Sequence, residues 1–302
     1  MIVPAVLILF AALYLAVLCG SFWLWSKHRR RRRVFPFQEN VRLLRQPGET
    51  LLKQVRIIDE RMMITAMCGA VAPSVVAFAY IGLVPRLWAY LGGRLSSGGI
   101  LVGASIVAAT SILALVVILL RTAAQSSSRY LGYCGERLIA ERLRPLERRG
   151  WVVLHDVPAM GSSPFNLDHV AIGPAGVFVV ETKSPRKYVD VGSDGHRLEF
   201  DGTMLTWPDG SRNRRAVDDA IGRAEWLSQT LQARAGEPVA VMPILVFPSW
   251  YVAECKPRRA EIRVVNPKYL LGAIASRQQV LTATQINLYA RQVALLCRDV
   301  EL

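Results

Sequence analysis

Metal-binding and redox patterns are what this sequence has least of. Its five cysteines, Cys19, Cys68, Cys134, Cys255 and Cys297, are scattered without a CxxC pair. The four histidines form no Cys/His cluster with them, so structural zinc is not indicated; two of the cysteines fall in apolar stretches and the others read as reduced packing residues. No P-loop, GxSxG or dinucleotide fingerprint occurs, which removes the chemistries those motifs support. Charge is absent over three long stretches, residues 1–26, 62–85 and 95–120. About 20 apolar residues suffice to cross a bilayer, so each stretch predicts a membrane helix, over about 2–25, 62–85 and 100–120. The hydrophobic share of 52% and the mean hydropathy of +0.28 are concentrated there. Buried helices of a soluble domain seldom run so long without a charge.

Acidic residues are also few, 23 against 37 Lys and Arg, for a net charge of +14. The excess invites a nucleic-acid reading, but its distribution points elsewhere. Residues 1–129 carry +11 and residues 130–302 only +3. The basic run Arg29 to Arg33 follows the first apolar stretch, and residues 26–61 hold 11 basic residues. That asymmetry predicts an outside N-terminus and a cytoplasmic segment 26–61. An outside loop at 86–94 and a cytoplasmic chain after Arg121 complete the topology. The basic cluster is also placed to meet anionic headgroups of the lipid bilayer. The first stretch has no basic n-region before it, so a cleaved signal peptide is not expected.

The chain divides into a membrane region, 1–123, and a cytoplasmic domain, 130–302, at the polar stretch Ala124-Gln-Ser-Ser-Ser-Arg129. Residues 49–62 have helical spacing of Leu51, Leu52, Val55, Ile58 and Met62. They predict an amphipathic surface helix or a plain cytoplasmic linker. In the second region a helix is expected over 130–149, then a strand over 151–155. Further short strands fall within 187–206, with a helix over 217–231. Strands are expected at 239–247 and 261–265, and helices at 267–275 and 282–298. Helix, strands and helices in this order predict an α/β domain around one sheet.

The stretch from Asn166 to Lys183 stands at its centre. Two runs rich in Val, Ile and Phe flank Gly173-Pro-Ala-Gly176 and predict a β-hairpin. A four-residue loop pairs Ile172 with Val177 and Val170 with Val179, so Asp168 should meet Glu181. Alternation puts Glu181 and Lys183 on one face, with Asp168 pointing there from the partner strand. Opposed residues have Cβ atoms roughly 4.5–5.5 Å apart, where like charges repel. A hard divalent cation between the carboxylates would relieve this, and Lys183 completes the make-up of a metal-dependent phosphodiesterase site. The plain alternative is that Asp168 caps the hairpin while Glu181 and Lys183 end a solvated strand. His169 points to the opposite face as a packing residue.

Gly135-Glu136, Asn166-Leu-Asp-His-Val170, Gly173-Pro-Ala-Gly-Val177 and Val180-Glu-Thr-Lys183 together resemble the nuclease-related domain (NERD) over roughly residues 130–250. That family is similar to the PD-(D/E)xK, restriction-endonuclease-like nucleases. The resemblance implies a mixed sheet flanked by helices, here preceded by three transmembrane helices. It implies Lys183, Glu181, Asp168 and Glu136 as catalytic residues. It implies Mg²⁺ or Mn²⁺ held by Asp168, Glu181 and the carbonyl of Thr182. The partner implied is nucleic acid, DNA ahead of RNA, with Arg212, Arg214 and Arg215 as backbone contacts or a solvated helix start. Asp219 departs from the family pattern, falling where a Gln would face the site. The expected protein is a multi-pass membrane-anchored nuclease. A catalytically inactive nucleic-acid-binding or scaffold module is the alternative. Nothing in the sequence sets the oligomeric state.

Overall fold

The computed structural model describes residues 20, 42–93, 96–159, 164–186, 195–254, 261–297 and 300–301. The expected first membrane helix over 2–25 and the run Arg29 to Arg33 lie outside these residues. The chain divides into two compact units, one of residues 1–37 and 55–127, the other of residues 38–54 and 128–302.

The first unit is built from two long helices, α1 (Glu49–Tyr90) and α2 (Ser97–Glu147), whose remaining ends belong to the second unit. Each is long and apolar enough to cross a membrane, and the most apolar stretch of each is only 6% buried. Ile64, Phe78, Leu83, Leu101, Leu113 and Leu120 are all exposed, a surface that suits lipid better than water. Within this unit small residues allow close approach. A Cβ on Gly69 would stand 2.4 Å from Leu115 Cδ1, and one on Gly103 would stand 2.1 Å from the Tyr80 hydroxyl. The hydroxyls of Ser105, Ser111 and Thr122 donate to carbonyls four residues back, which keeps them satisfied in an apolar setting.

Two expected helix ends are overturned here, while the units themselves divide after residue 127. The segments 49–62 and 62–85 form one helix, α1, running through Pro73 and Pro85. The polar stretch 124–129 does not break the chain either, because α2 continues through it to Glu147. Ser and Gln weaken a helix only slightly, and neither Gly nor Pro interrupts the stretch. Polarity there marks where the apolar surface ends while the backbone stays helical.

The second unit contains β2 (Val152–Ala159), β3 (Phe165–Gly173) and β4 (Gly176–Thr182). Next come β5 (Arg197–Phe200), β6 (Leu205–Thr206), β7 (Arg212–Asn213) and helix α3 (Arg215–Ala235). Then follow β8 (Val241–Val246), β9 (Tyr251–Glu254), β10 (Arg263–Val265), α4 (Leu270–Ala275) and α5 (Ala283–Cys297). A two-residue strand β1 (Arg42–Leu43) pairs antiparallel with β11 (Val300–Glu301). The main sheet has the order β10-β8-β4-β3-β2. Its β2, β3 and β4 are antiparallel neighbours, and β4, β8 and β10 run parallel. A second sheet, β7-β6-β5-β9, packs beside it. The fold is α/β with mixed sheets flanked by helices.

Alternation along the strands of the main sheet supplies two cores, and a third joins Leu198, Phe200 and Leu205 of the second sheet to Leu245 and Val264. Leu154, Val170, Ile172, Val177 and Val179 face Ala224, Leu227 and Leu231 of α3 and Tyr289 and Val293 of α5. Ala171, Phe178 and Val180 face Ile139, Leu143 and Leu146 of α2 and Ile274 of α4. Val157 and Leu167 join the first core although each stands three residues from Leu154 and Val170. A regular strand places residues two apart on one face. Both strands therefore change phase at Asp156 and Asp168. Asp156 is the described non-glycine residue with a positive φ, 48°, in the left-handed region that Asp tolerates better than most.

Candidate active site

The hairpin register matches the count from the turn as far as His169 opposite Val180. One step further would pair Asp168 with Glu181. On the other side, His155 pairs with His169 and Val157 with Leu167, so Asp156 falls opposite Asp168. Three carboxylates, Asp156, Asp168 and Glu181, thus occupy one row across β2, β3 and β4. The ladder is interrupted along that row, and each acid is handled differently.

Glu181 is 1% exposed. Its Oε1 receives Lys183 Nζ at 2.7 Å and also contacts Arg223 Nη1 from α3. Its Oε2 is buried with no hydrogen-bond partner. A buried carboxylate oxygen left unpaired is costly in a folded protein. Asp168 accepts the Thr182 main-chain N–H on Oδ2 at 2.7 Å. Burial raises its pKa, opposed by Arg223, the Thr182 hydrogen bond and Lys183. Thr182 therefore acts on the site through its N–H, and its own hydroxyl is buried without a partner.

Glu136 reaches the same place from α2. Its carboxyl pKa is pushed up to about 9, first by burial and then by the charges of Asp168 and Asp156, with Arg223 and Lys183 pulling the other way. Its neighbour Gly135 is needed for clearance, since a Cβ there would stand 1.9 Å from the Ser184 hydroxyl oxygen. Glu136 from α2 thus lies close enough to Asp168 and Lys183 for their charges to act on it, while Lys183 and Arg223 meet at Glu181.

Asp156 is turned out of the row. Its Oδ2 accepts the Thr50 main-chain N–H at 2.9 Å and the Thr50 hydroxyl at 2.7 Å. Arg45 Nη1 lies 3.3 Å from the same oxygen. Asn166 Nδ2 donates to Asp156 Oδ1 at 2.8 Å and to the Thr50 hydroxyl at 2.7 Å. Thr50 sits in the first turn of α1, where main-chain N–H groups lack helical partners and negative charge is favoured. Sequence reasoning missed Asp156, Arg45, Thr50 and Arg223. The register count, carried one strand further to β2, would have reached Asp156. No local signal marks the other three.

Other expectations fare differently. Asp219 is exposed on α3, so the extra carboxylate expected at the site is not there, and the α3 side chain that enters is Arg223. Arg212 pairs with Asp201 at 2.6 Å and Arg214 with Asp218 at 2.7 Å. Arg215 is exposed. His169 is fully buried, as a packing residue, with Nδ1 2.9 Å from His155 Nδ1. Among the described residues, no three His, Cys, Asp or Glu side chains converge as a ready cation cluster.

The arrangement is a buried pair of carboxylates under two cations, with a third acid held largely protonated beside it. Such a site is suited to binding a small hard cation or a phosphate ester. No curated protein and no solved structure matches the chain. Residues 131–248, which include Glu136, Asp168, Glu181, Lys183 and Arg223, match the family model of the nuclease-related domain, NERD.

Proposed function

We propose that this protein is a membrane-anchored, divalent-cation-dependent phosphodiesterase acting on nucleic acid, DNA ahead of RNA, through a restriction-endonuclease-like domain on the cytoplasmic side. The observation that carries the reading is Glu181, buried to 1% and bonded by Lys183 at 2.7 Å, with one carboxylate oxygen unpartnered. That orphaned oxygen and the neighbouring Asp168 are hard donors, so the residues present fit Mg²⁺ or Mn²⁺, with the Thr182 carbonyl or water completing the set. A cation bound there would polarise the scissile phosphate and lower the pKa of water. Lys183, as an ammonium, orients the attacking water, whose proton passes to solvent. A bond forms from the water oxygen to phosphorus, the bond to one ester oxygen breaks, and the departing oxygen takes a proton from solvent. Glu136 supports the carboxylates from α2.

The proposed topology puts the chain before the first described apolar helix and the chain after the second on one side of the membrane, a reading supported by the bonds of Arg45 and Thr50 to Asp156. Two crossings between them satisfy this, and the basic residues before them favour the cytoplasm for that side. A reporter fused after Leu302 should behave as cytoplasmic.

The test uses the full chain in detergent or lipid nanodiscs, because a fragment beginning near residue 125 would lack Arg45 and Thr50. Cleavage of single- and double-stranded DNA and RNA is measured with Mg²⁺ or Mn²⁺. Asp168→Ala and Lys183→Ala should abolish it. No cleavage by the wild type, or equal cleavage by the variants, sinks the reading. A second reading, an inactive membrane-tethered nucleic-acid-binding or scaffold module, is favoured by one observation. Glu181 Oε1 already serves two cations, as in a site closed by its own ion pairs. Nucleic-acid binding without turnover in the presence of Mn²⁺ would select it.

A further inference from the structure

Arg223 has no counterpart among the residues that the sequence pointed to. It stands on α3, the helix covering one face of the sheet, and its guanidinium contacts the same Glu181 oxygen that Lys183 holds. The Phe165 ring centroid lies 5.6 Å from its Cζ, close enough for a cation–π contact that steadies the head group. Its side chain is 19% exposed, whereas that of Glu181 is 1% exposed. Part of the arginine side chain thus reaches solvent, while its Nη1 is buried against the acid. Its field reaches Asp168 and Glu136 as well.

Two cations on one carboxylate oxygen are more than the acid needs. Lys183 alone would neutralise Glu181. Lysine is a compact point charge, whereas a guanidinium presents a planar fork that matches two oxygens of a phosphate. A divalent cation taken up by the orphaned Oε2 of Glu181 would stand beside the guanidinium on Oε1, and the two positive charges repel. That repulsion loosens Arg223 from Glu181 and frees its fork for a phosphate.

We propose that Arg223 is a catalytic residue that exchanges partners: it holds Glu181 in the resting site and turns to the non-bridging oxygens of the scissile phosphate when Glu181 ligates a divalent cation. This rests on the phosphodiesterase reading above. In the resting state Arg223 limits the negative charge of the buried carboxylates. In the working state it stabilises the charge that gathers on the phosphoryl oxygens, where a fixed donor is most effective. The exchange requires a swing of the Arg223 side chain away from Glu181.

The exchange predicts opposite effects on binding and turnover. Mn²⁺ affinity of the full chain is measured by calorimetry, and turnover on a DNA substrate is measured alongside, for the wild type, Arg223→Gln and Arg223→Lys. Removing a positive charge that repels the cation beside Glu181 should tighten Mn²⁺ binding about tenfold. Turnover by Arg223→Gln should fall by roughly 10²-fold or more, the usual scale for losing one positioned donor. Arg223→Lys keeps the charge without the fork, so it should bind Mn²⁺ like the wild type and still turn over slowly. Unchanged or weaker Mn²⁺ binding by Arg223→Gln overturns the inference. So does turnover by both variants at the wild-type rate. If the wild type neither binds Mn²⁺ nor cleaves, the phosphodiesterase reading fails and this inference fails with it. If the wild type does both and Arg223→Gln matches it, only the role of Arg223 fails.

Discussion

Thr50 gives both its main-chain N–H and its hydroxyl to one oxygen of Asp156, a residue 106 positions further along the chain. The start of a long apolar helix is thereby bonded to the carboxylate row of the candidate site. Asp156 is 3% exposed and also takes Arg45 and Asn166. Removing its side chain would take the carboxylate from a part-buried arginine and the acceptor from a helix-end N–H. Asp156→Ala should therefore cost about 3–5 kcal/mol. Asp156→Asn should cost less, because Asn still accepts from Thr50 and tolerates the positive φ. Thr50→Val should cost about 1–3 kcal/mol through the lost hydroxyl. Thermal unfolding of the full chain in detergent measures all three, and equal loss from Asn and Ala would show that geometry at Asp156 matters little.

Two glycines separate crowding from backbone conformation. A Cβ on Gly173 would stand 2.1–2.5 Å from three atoms of the Trp151 ring, which is buried against Phe178 at 5.8 Å. Gly173→Ala should cost about 1–3 kcal/mol by overpacking. Gly150 has φ +79° and nothing near its absent Cβ. Gly150→Ala should cost about 1 kcal/mol, from the left-handed helix end alone. A Trp151→Leu background should rescue the first variant and leave the second unchanged.

The hairpin was legible because two signals agree there. The turn fixed the register, and unbroken apolar strands carried it outward as far as His169 and Val180. The count failed beyond that point because Asp156 and Asp168 shift both strands in phase, which strict alternation cannot express. Glu136 was legible only through a family pattern, since it comes from a helix whose own periodicity says nothing about the sheet end it reaches. Arg223 was invisible for a related reason. The reading placed Asp219 at the site, but the helix turns that residue to solvent and brings in Arg223 four positions later. Arg45 and Thr50 contact the domain from over a hundred residues away, beyond any local pattern. The polar stretch 124–129 misled only as to where a helix begins, because composition changes there while helix propensity does not.

Glu136 should make the protein less stable as the solution becomes alkaline. An unfolded glutamate titrates at about 4.5, while the folded group titrates at about 9 because it is buried beside Asp168 and Asp156. Between those values the folded state binds the extra proton, so stability falls as pH rises through that window. Below pH 4.5 the group contributes no slope. Glu136→Gln stays neutral and should be more stable than the wild type at pH 8 by a few kcal/mol, of order one pKa unit's 1.4 kcal/mol per pH unit crossed. Unfolding midpoints compared at pH 5 and pH 8, without divalent cation, check this. Parallel curves for the two proteins would overturn it.

The histidine pair should act in the opposite direction on the acid side. Burial lowers His155 to about 4, and burial together with His155 holds His169 well below the ordinary range. Their Nδ1 atoms share one hydrogen bond at 2.9 Å, which needs one donor and one acceptor. Two imidazolium rings cannot make that bond, and two charges would repel at this distance. In the unfolded chain both rings take up protons near pH 6.5. The unfolded state therefore binds more protons between about pH 6.5 and 4, and stability present above 6.5 is lost as pH falls through that window. Each histidine adds a slope of about 1.4 kcal/mol per pH unit there. His155→Phe keeps an aromatic ring against His169 and removes one titrating group. It should start less stable at pH 7, because His169 loses its partner, yet lose stability more slowly on acidification. Denaturant unfolding at pH 7, 6 and 5 gives the two slopes, and a variant slope as steep as that of the wild type would show that the pair does not titrate together with unfolding.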